Sequence, residues 1–485
     1  MNKLFRIKSI NSILAESGED GKSLKRTLSS FNLITLGIGA IIGAGIFSIT
    51  GNAAAEFAGP AVTISFIIAA VGCAFAGLCY AEFASMLPVA GSAYTYSYAT
   101  MGEFVAWIIG WDLVLEYAVG AATVAISWSR YLGKLLHMYN VDVPAQLMMS
   151  PFQSQLVNGV EVHGWINLPA VFITVLMSLL LIRGTQESAK FNNVIVVLKV
   201  SVVLAFIILG WQYIKPENYT PYIPENVDGV FEHFGWTGVV TGAAVVFFAF
   251  IGFDAVSTAA QEAKNPKRDM PIGILGSLVV CTILYVLFAH VLTGVENYKN
   301  FLGESAPVAK AMANTPYVFF QKLIIIAILA GYSSVIMVLL MGQSRVFFSM
   351  SKDGLIPSVF SDLHSKFRTP WKSNILFAIF VGLFAAFVPA SVVGEMTSIG
   401  TLFAFVLVCI GVMVLRYKQP NAPRGFRAPL SSVKAPIVPV LGALICFYLM
   451  YALPLDTWIR LIVWMAIGVV VYFTYSQKNQ KVNPE

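Results

Sequence analysis

Charge is scarce in this chain. Only 12% of its 485 residues are Asp, Glu, Lys or Arg, about half of what a soluble domain carries. With 57% apolar residues and a mean hydropathy of +0.75, that shortage excludes an ordinary soluble enzyme. Short alternating segments are missing too. Runs such as VTISFIIAAVGCAFAGLCYA do not alternate, which excludes a membrane β-barrel. The five cysteines (Cys73, Cys79, Cys281, Cys409 and Cys446) fall inside apolar runs without metal spacing and read as small core residues. The five histidines are scattered and form no HExxH pair, so neither a metalloprotease nor another metal centre has its ligands. GEDGKS at 18–23 places two residues between its glycines, where a phosphate-binding loop needs four. That removes a nucleotide site. The polar N-terminus has no secretory core before residue 31, so no cleaved signal is expected.

What the chain does have is apolar length. Runs long enough to cross a bilayer at about 20 residues each are expected at 31–57, 61–87, 102–130, 167–182, 188–213, 236–262, 271–294, 320–345, 374–388, 391–416, 434–453 and 456–476. The fold class is therefore an all-α polytopic membrane protein with 12 transmembrane helices. Placing the N-terminus inside leaves 23 Lys and Arg on the inner side and seven on the outer, with Lys199 alone mid-span. Basic residues favour the cytoplasmic side, so both termini are expected in the cytoplasm of a plasma-membrane protein. The same distribution explains the net charge of +6 without nucleic acid. The Pro-rich stretch 419–436 reads as an inner connector, and the run of Tyr94, Tyr96 and Tyr98 as an interfacial loop.

Two spans carry interruptions. The first, FNLITLGIGAIIGAGIFSITG, holds Gly37, Gly39, Gly43, Gly45 and Gly51, and each glycine costs a helix about 1 kcal/mol relative to alanine. Close packing through small residues would account for them. The sharper reading is unwinding at Gly43-Ala44-Gly45, exposing backbone N–H groups that suit a carboxylate. The sixth span is interrupted at Phe248, Ala249, Phe250, Ile251 and Gly252, and Asp254 follows. Breaks at positions one and six fit two five-helix repeats of inverted topology with a site near the bilayer midplane.

GIGAIIGAGIF, WDLVLEYAVGAATVAISWS, FFAFIGFDAVSTAAQEAKNPKRDMPIG and SRVFFSMSKDGLIP together resemble the amino acid–polyamine–organocation superfamily, nearest its cationic amino acid transporter branch. The resemblance runs over helices 1 to 10. It implies a five-plus-five inverted repeat, with helices 1–5 at 31–213 and helices 6–10 at 236–416. Two further helices at 434–476 follow, flanked by cytoplasmic segments 1–30 and 477–485. It also implies that Ile41, Gly43, Ala44 and Gly45 bind a substrate α-carboxylate and part of its amino group. The carbonyls of Phe248 and Ile251, with Ala249 between them, would take the ammonium, and the Phe248 ring would form an outer gate. Larger members of the branch have two more C-terminal helices.

Lys199 lies deep in FNNVIVVLKVSVVLAFIIL, where an ammonium costs at least about 2.5–3.5 kcal/mol. Snorkelling to the interface is the plainer alternative. By resemblance, Lys199 fills the place that a sodium ion takes in sodium-coupled relatives of this fold, which makes it the proton-coupling residue. Asp112 and Glu116 share a face of helix 3, and with Asp254 they could relay protons, select a basic side chain or cap broken helix ends. In GYSSVIMVLLMGQS of helix 8, Ser333 or Ser334, Met337 and Met341 fall at helical spacing, and Met337 is expected to shorten the substrate pocket. No cofactor is expected beyond the proton. The expected function is a proton-coupled L-amino acid symporter favouring small neutral substrates such as alanine. The alternatives are a cationic amino acid transporter, an exchanger, or an amino acid sensor without flux. Binding of an accessory membrane subunit stays open.

Overall fold

The computed structural model describes residues 3–18, 24, 26–43, 45–157, 160–226, 229–230, 233–304, 307–430, 432, 435–451, 453 and 455–481. Within them the chain is built from apolar helices. In chain order these are α1 (Ser30–Ile41, resuming at Gly45–Ile49 and running on to Ala58), α2 (Val62–Met86), α3 (Glu103–His137), α4 (Leu168–Arg183), α5 (Thr185–Trp211) and α6 (Gly235–Val246, continued by Phe247–Phe250 and Ala255–Thr258). The second group is α7 (Pro266–Val295), α8 (Val318–Lys352), α9 (Trp371–Phe387), α10 (Ala390–Lys418), α11 (Ile437–Tyr451) and α12 (Leu455–Val471). Among the described residues, eight helical stretches are long and apolar enough to cross a membrane, and four more apolar helices are shorter. The protein is a multi-pass membrane protein.

The buried centre is formed by α1, α2, α3, α6, α7, α8 and α10. The α7 helix packs along α2 and α1, α8 along α3 and α5, and α10 against α3. The α4–α9 pair and α11 lie further out, while α12 leaves Ile462, Val463 and Val470 exposed, as a lipid-facing helix should.

Several boundaries differ from the sequence expectation. The α3 helix continues past 130 to His137, with Lys134 and His137 in its last turn, where cations suit the helix dipole. The α8 helix runs past 345, because Arg345 is fully buried and pairs with Glu262 at 2.9 Å. The tyrosine run is not an interfacial loop. Tyr94, Tyr96 and Tyr98 lie in a helix, Ser92–Thr100, with all three fully buried. The polar tips of Tyr94 and Tyr98 are paired instead of wet. Tyr94 donates to Asp353 at 2.6 Å and Tyr98 to Glu103 at 3.0 Å, while the Tyr96 ring stacks on Phe83 at 4.8 Å. Between α3 and α4 a small antiparallel hairpin pairs Ser154–Val157 with Val160–His163.

Both terminal segments meet on one face. Lys8 contacts Asp353 at 2.5 Å, and the Lys481 N–H donates to the Asp353 carbonyl at 2.9 Å. Leu28 pairs with Ala263 on the same side. The connector after α10 also returns to this face, where Arg416 and Arg424 both bind Glu82.

Candidate binding site in the helix breaks

The first helix ends at Ile41. Ile42 takes an extended conformation (φ −73°, ψ 100°), and helix resumes at Gly45 as a wide turn. The sixth ends its narrow turn at Phe250. Ile251 is then extended (ψ 137°) and Gly252 has φ +107°, a conformation L side chains rarely adopt. The two interruptions touch. A Cβ on Gly252 would lie 2.9 Å from the Cβ of Ala40, and one on Gly45 would fall inside the backbone of Ala249. Glycine is needed at both positions for this contact.

Between the breaks lies a small, nearly closed cavity of about 20 Å³. Ala40, Ile41, Gly43 and Gly45 line it from α1, and Phe248 and Ile251 from α6. Gly120 and Val124 of α3, Val335 and Leu339 of α8, and Thr397 of α10 close it. Among the described residues, no lining side chain is charged. Of the expected substrate residues, Ile41, Gly43, Gly45, Phe248 and Ile251 are brought together here. Ala44 lies outside the described residues. Ala249 packs against Gly45 behind the wall.

Two expected residues lie outside the lining of this cavity. Met337 is fully buried in the core and does not line the cavity. The stripe of α8 that faces the space is Val335 and Leu339, each two residues from Met337 and so on nearly the opposite side of the helix. Asp254 is also not in the cavity. It sits past the α6 break, where Tyr117 donates to it at 2.5 Å.

The carbonyls freed by the α1 break are satisfied from neighbouring helices. Lys199 of α5, fully buried, donates to the carbonyls of Gly39 and Ile42, each at 2.8 Å, and to Ser334 of α8 at 3.0 Å. The ammonium is thus set at the carboxyl end of a half-helix, which favours a cation. Snorkelling is ruled out by these contacts. Tyr285 of α7 bridges the two breaks, its hydroxyl 2.7 Å from the Ile41 carbonyl and 2.9 Å from that of Ala249. The sequence reading missed Tyr285, Gly120, Val124, Val335, Leu339 and Thr397. Tyr285 left one signal, a hydroxyl in an apolar run that needs a buried partner.

An uncharged cavity between two broken helices, braced by a buried lysine, is an arrangement for holding a small solute. Residues 28–472 match the family described as amino acid permease. The chain belongs to the amino acid permease family. Like the permeases it resembles, it is a transporter and not an enzyme. It is 45% identical to the branched-chain amino acid permease BcaP of Bacillus subtilis, over 99% of each chain. It is 43% identical to the methylthioribose transporter of the same organism, over 100% of each. Cationic amino acid transporter 4 of Arabidopsis thaliana, a vacuolar protein, is 33% identical over 89% of this chain and 69% of its own length. The permease family and the cationic amino acid transporters among its relatives place the chain in the amino acid–polyamine–organocation superfamily.

Proposed function

We propose that this permease is a proton-coupled symporter of neutral L-amino acids, working by alternating access across the plasma membrane. Its twelve helices form two inverted five-helix repeats, at 31–213 and 236–416, with α11 and α12 added, and both termini face the cytoplasm. The observation that carries proton coupling is the Lys199 ammonium on the Gly39 and Ile42 carbonyls and on Ser334. It ties the broken α1 to α8, so losing its proton loosens the pair. The substrate α-carboxylate takes the amide end of the second half of α1, and the carbonyls of Phe248 and Ile251 take the ammonium.

The apolar lining by Val124, Val335 and Leu339 favours small aliphatic side chains such as that of alanine. A guanidinium there would be desolvated without a partner, at a cost of several kcal/mol. The likeness to a branched-chain permease favours a second reading in which valine, isoleucine and leucine are also carried. The test is uptake of labelled alanine into liposomes, with the twenty amino acids and methylthioribose as competitors, with and without an inward proton gradient. Alanine and the branched aliphatics should compete, and the gradient should drive accumulation without sodium. Stronger competition by arginine or methylthioribose than by alanine would reject the substrate assignment, and indifference to the gradient would reject the coupling.

A further inference from the structure

A groove of about 680 Å³ opens on the face that carries the terminal segments, between the start of α7 and the connector after α10. Lys267, Arg268, Pro271, Ile272 and Leu275 form its α7 side, and Gly425 and Phe426 its connector side. The connector wall is anchored from behind. Arg424 holds Glu82 of α2 at 3.1 Å, the Phe426 N–H donates to Ser85 at 2.9 Å, and a Cβ on Gly425 would lie 3.0 Å from that of Lys267.

The two ends of the groove differ in chemistry. Its mouth is basic. Lys267 and Arg268 are exposed, and among the described residues neither makes an ion pair. Arg427, exposed next to Phe426, adds a third cation. Among the described residues, no acid lines the groove. Asp269 is buried with its carboxylate on the Asn265 N–H at 3.2 Å, and Glu82 is buried under two guanidinium groups. The floor is apolar and continues down α7. Arg268, Ile272, Leu275, Val279 and Ile283 recur at spacings of 4, 3, 4 and 4 residues and so share one face of the helix. Ile272, Val279 and Ile283 are exposed there, as a surface against lipid is. From Arg268 to Val279 the helix rises about 16 Å, half of a hydrocarbon core of about 30 Å.

We propose that this groove seats one anionic phospholipid of the adjoining leaflet, its phosphate on Lys267 and Arg268 and an acyl chain along Ile272, Leu275 and Val279. A guanidinium meets phosphate with two parallel N–H groups, and an ammonium meets it as a point charge. A free anion would find charge at the mouth but an apolar floor that it cannot use. A zwitterionic lipid would fill the floor, yet its own cation would offset the attraction at the mouth. A phosphate carrying an apolar chain answers both halves. The lipid would join α7 to the connector, which Arg424 ties to Glu82 of α2. The α7 helix also packs on α1, with Gly273 against Leu33, and carries Tyr285, which bridges the two breaks. The seat therefore braces the ends of the helices that form the substrate cavity. It lies outside that cavity and is independent of the substrate and proton assignments.

Native mass spectrometry and thermal unfolding of the purified, delipidated full chain test this. The probes are phosphatidylglycerol, phosphatidylcholine and inorganic phosphate. The wild type should retain one phosphatidylglycerol with about tenfold preference over phosphatidylcholine, as two cations at a lipid surface imply. It should also unfold at a higher temperature with that lipid bound. Lys267→Gln and Arg268→Gln together should abolish the preference while leaving unfolding of the lipid-free protein unchanged, since neither side chain is paired. Phe426→Ala, which thins the floor, should weaken both lipids alike. Lys366→Gln, a cation of the loop between α8 and α9, should leave the preference intact. Preference that survives in the double variant, or that falls equally in Lys366→Gln, would mean diffuse attraction to a basic face and overturn the seat. Equal binding of the two lipids would overturn it as well. So would stabilisation by inorganic phosphate equal to that by phosphatidylglycerol, which would mark a site for a soluble anion.

Discussion

The part played by Lys199 depends on where its ammonium ends. Its three oxygen contacts are the Gly39 and Ile42 carbonyls and Ser334. A neutral chain of similar length would leave those carbonyls without a cation. Lys199→Met should therefore fold but lose accumulation driven by a proton gradient, read as labelled alanine uptake with and without the gradient. Retained gradient response would remove the lysine from the coupling. The α8 stripe separates a second pair of residues. Leu339→Ala enlarges the cavity, so larger aliphatic side chains should compete better against alanine. Met337→Ala leaves a hole in the core instead, costing about 2–5 kcal/mol with the order of competitors unchanged. Thermal unfolding together with the competition series checks both. Lys199 was legible as a charge where none is affordable. Met337 was singled out by helical spacing, which groups residues into stripes without saying which stripe faces the site.

The breaks in α1 and α6 are where sequence and backbone agree most closely. Five glycines within fifteen residues marked the first, and Gly252 followed by Asp254 marked the second. The contact between them was not legible, since it depends on how two distant segments meet. At that contact Gly45 faces the backbone of Ala249, which cannot rotate out of the way as a side chain could. Gly45→Val should force α1 and α6 apart and abolish binding of every amino acid together, measured as loss of substrate-induced thermal stabilisation across the series. Gly43→Val meets only the Val335 side chain, at 2.9 Å, and should weaken binding less. Equal affinity for alanine in Gly45→Val and wild type would mean that the touching breaks do not form the site. The hidden tyrosine helix, Ser92–Thr100, shows the opposite limit. Its residues look interfacial by composition, and only the acids at 103 and 353, brought near by the fold, let it be buried.

Across the whole molecule, buried ion pairs gather on the face that carries both terminal segments. Their acids lie near the ends of helices while the bases come from other elements, so each pair fixes one helix against another. Glu262, after the α6 break, takes Arg345 of α8 at 2.9 Å. Glu82 of α2 takes Arg416 of α10, Arg424 of the connector at 3.1 Å, and the Ala428 N–H at 2.9 Å. Glu262 and the connector residue Arg424 thus help to close this face. Charge counting put Arg345 and Arg416 only at the inner ends of their spans, because pairing partners far along the chain cannot be seen from local composition. The energetics of such pairs are asymmetric. Removing one partner leaves a buried charge and costs about 3–5 kcal/mol, whereas replacing both by apolar residues of similar volume is often close to neutral. Glu262→Leu and Arg345→Met should each lower the unfolding temperature of the purified protein strongly, and the double substitution should recover most of the loss. Glu82→Gln should be as damaging as either single change, since two guanidinium groups converge on it. If the double substitution at 262 and 345 were no more stable than the singles, the pair would be holding the face through specific geometry and not only by cancelling charge. Alanine counterflow by the double variant would then fall along with its stability.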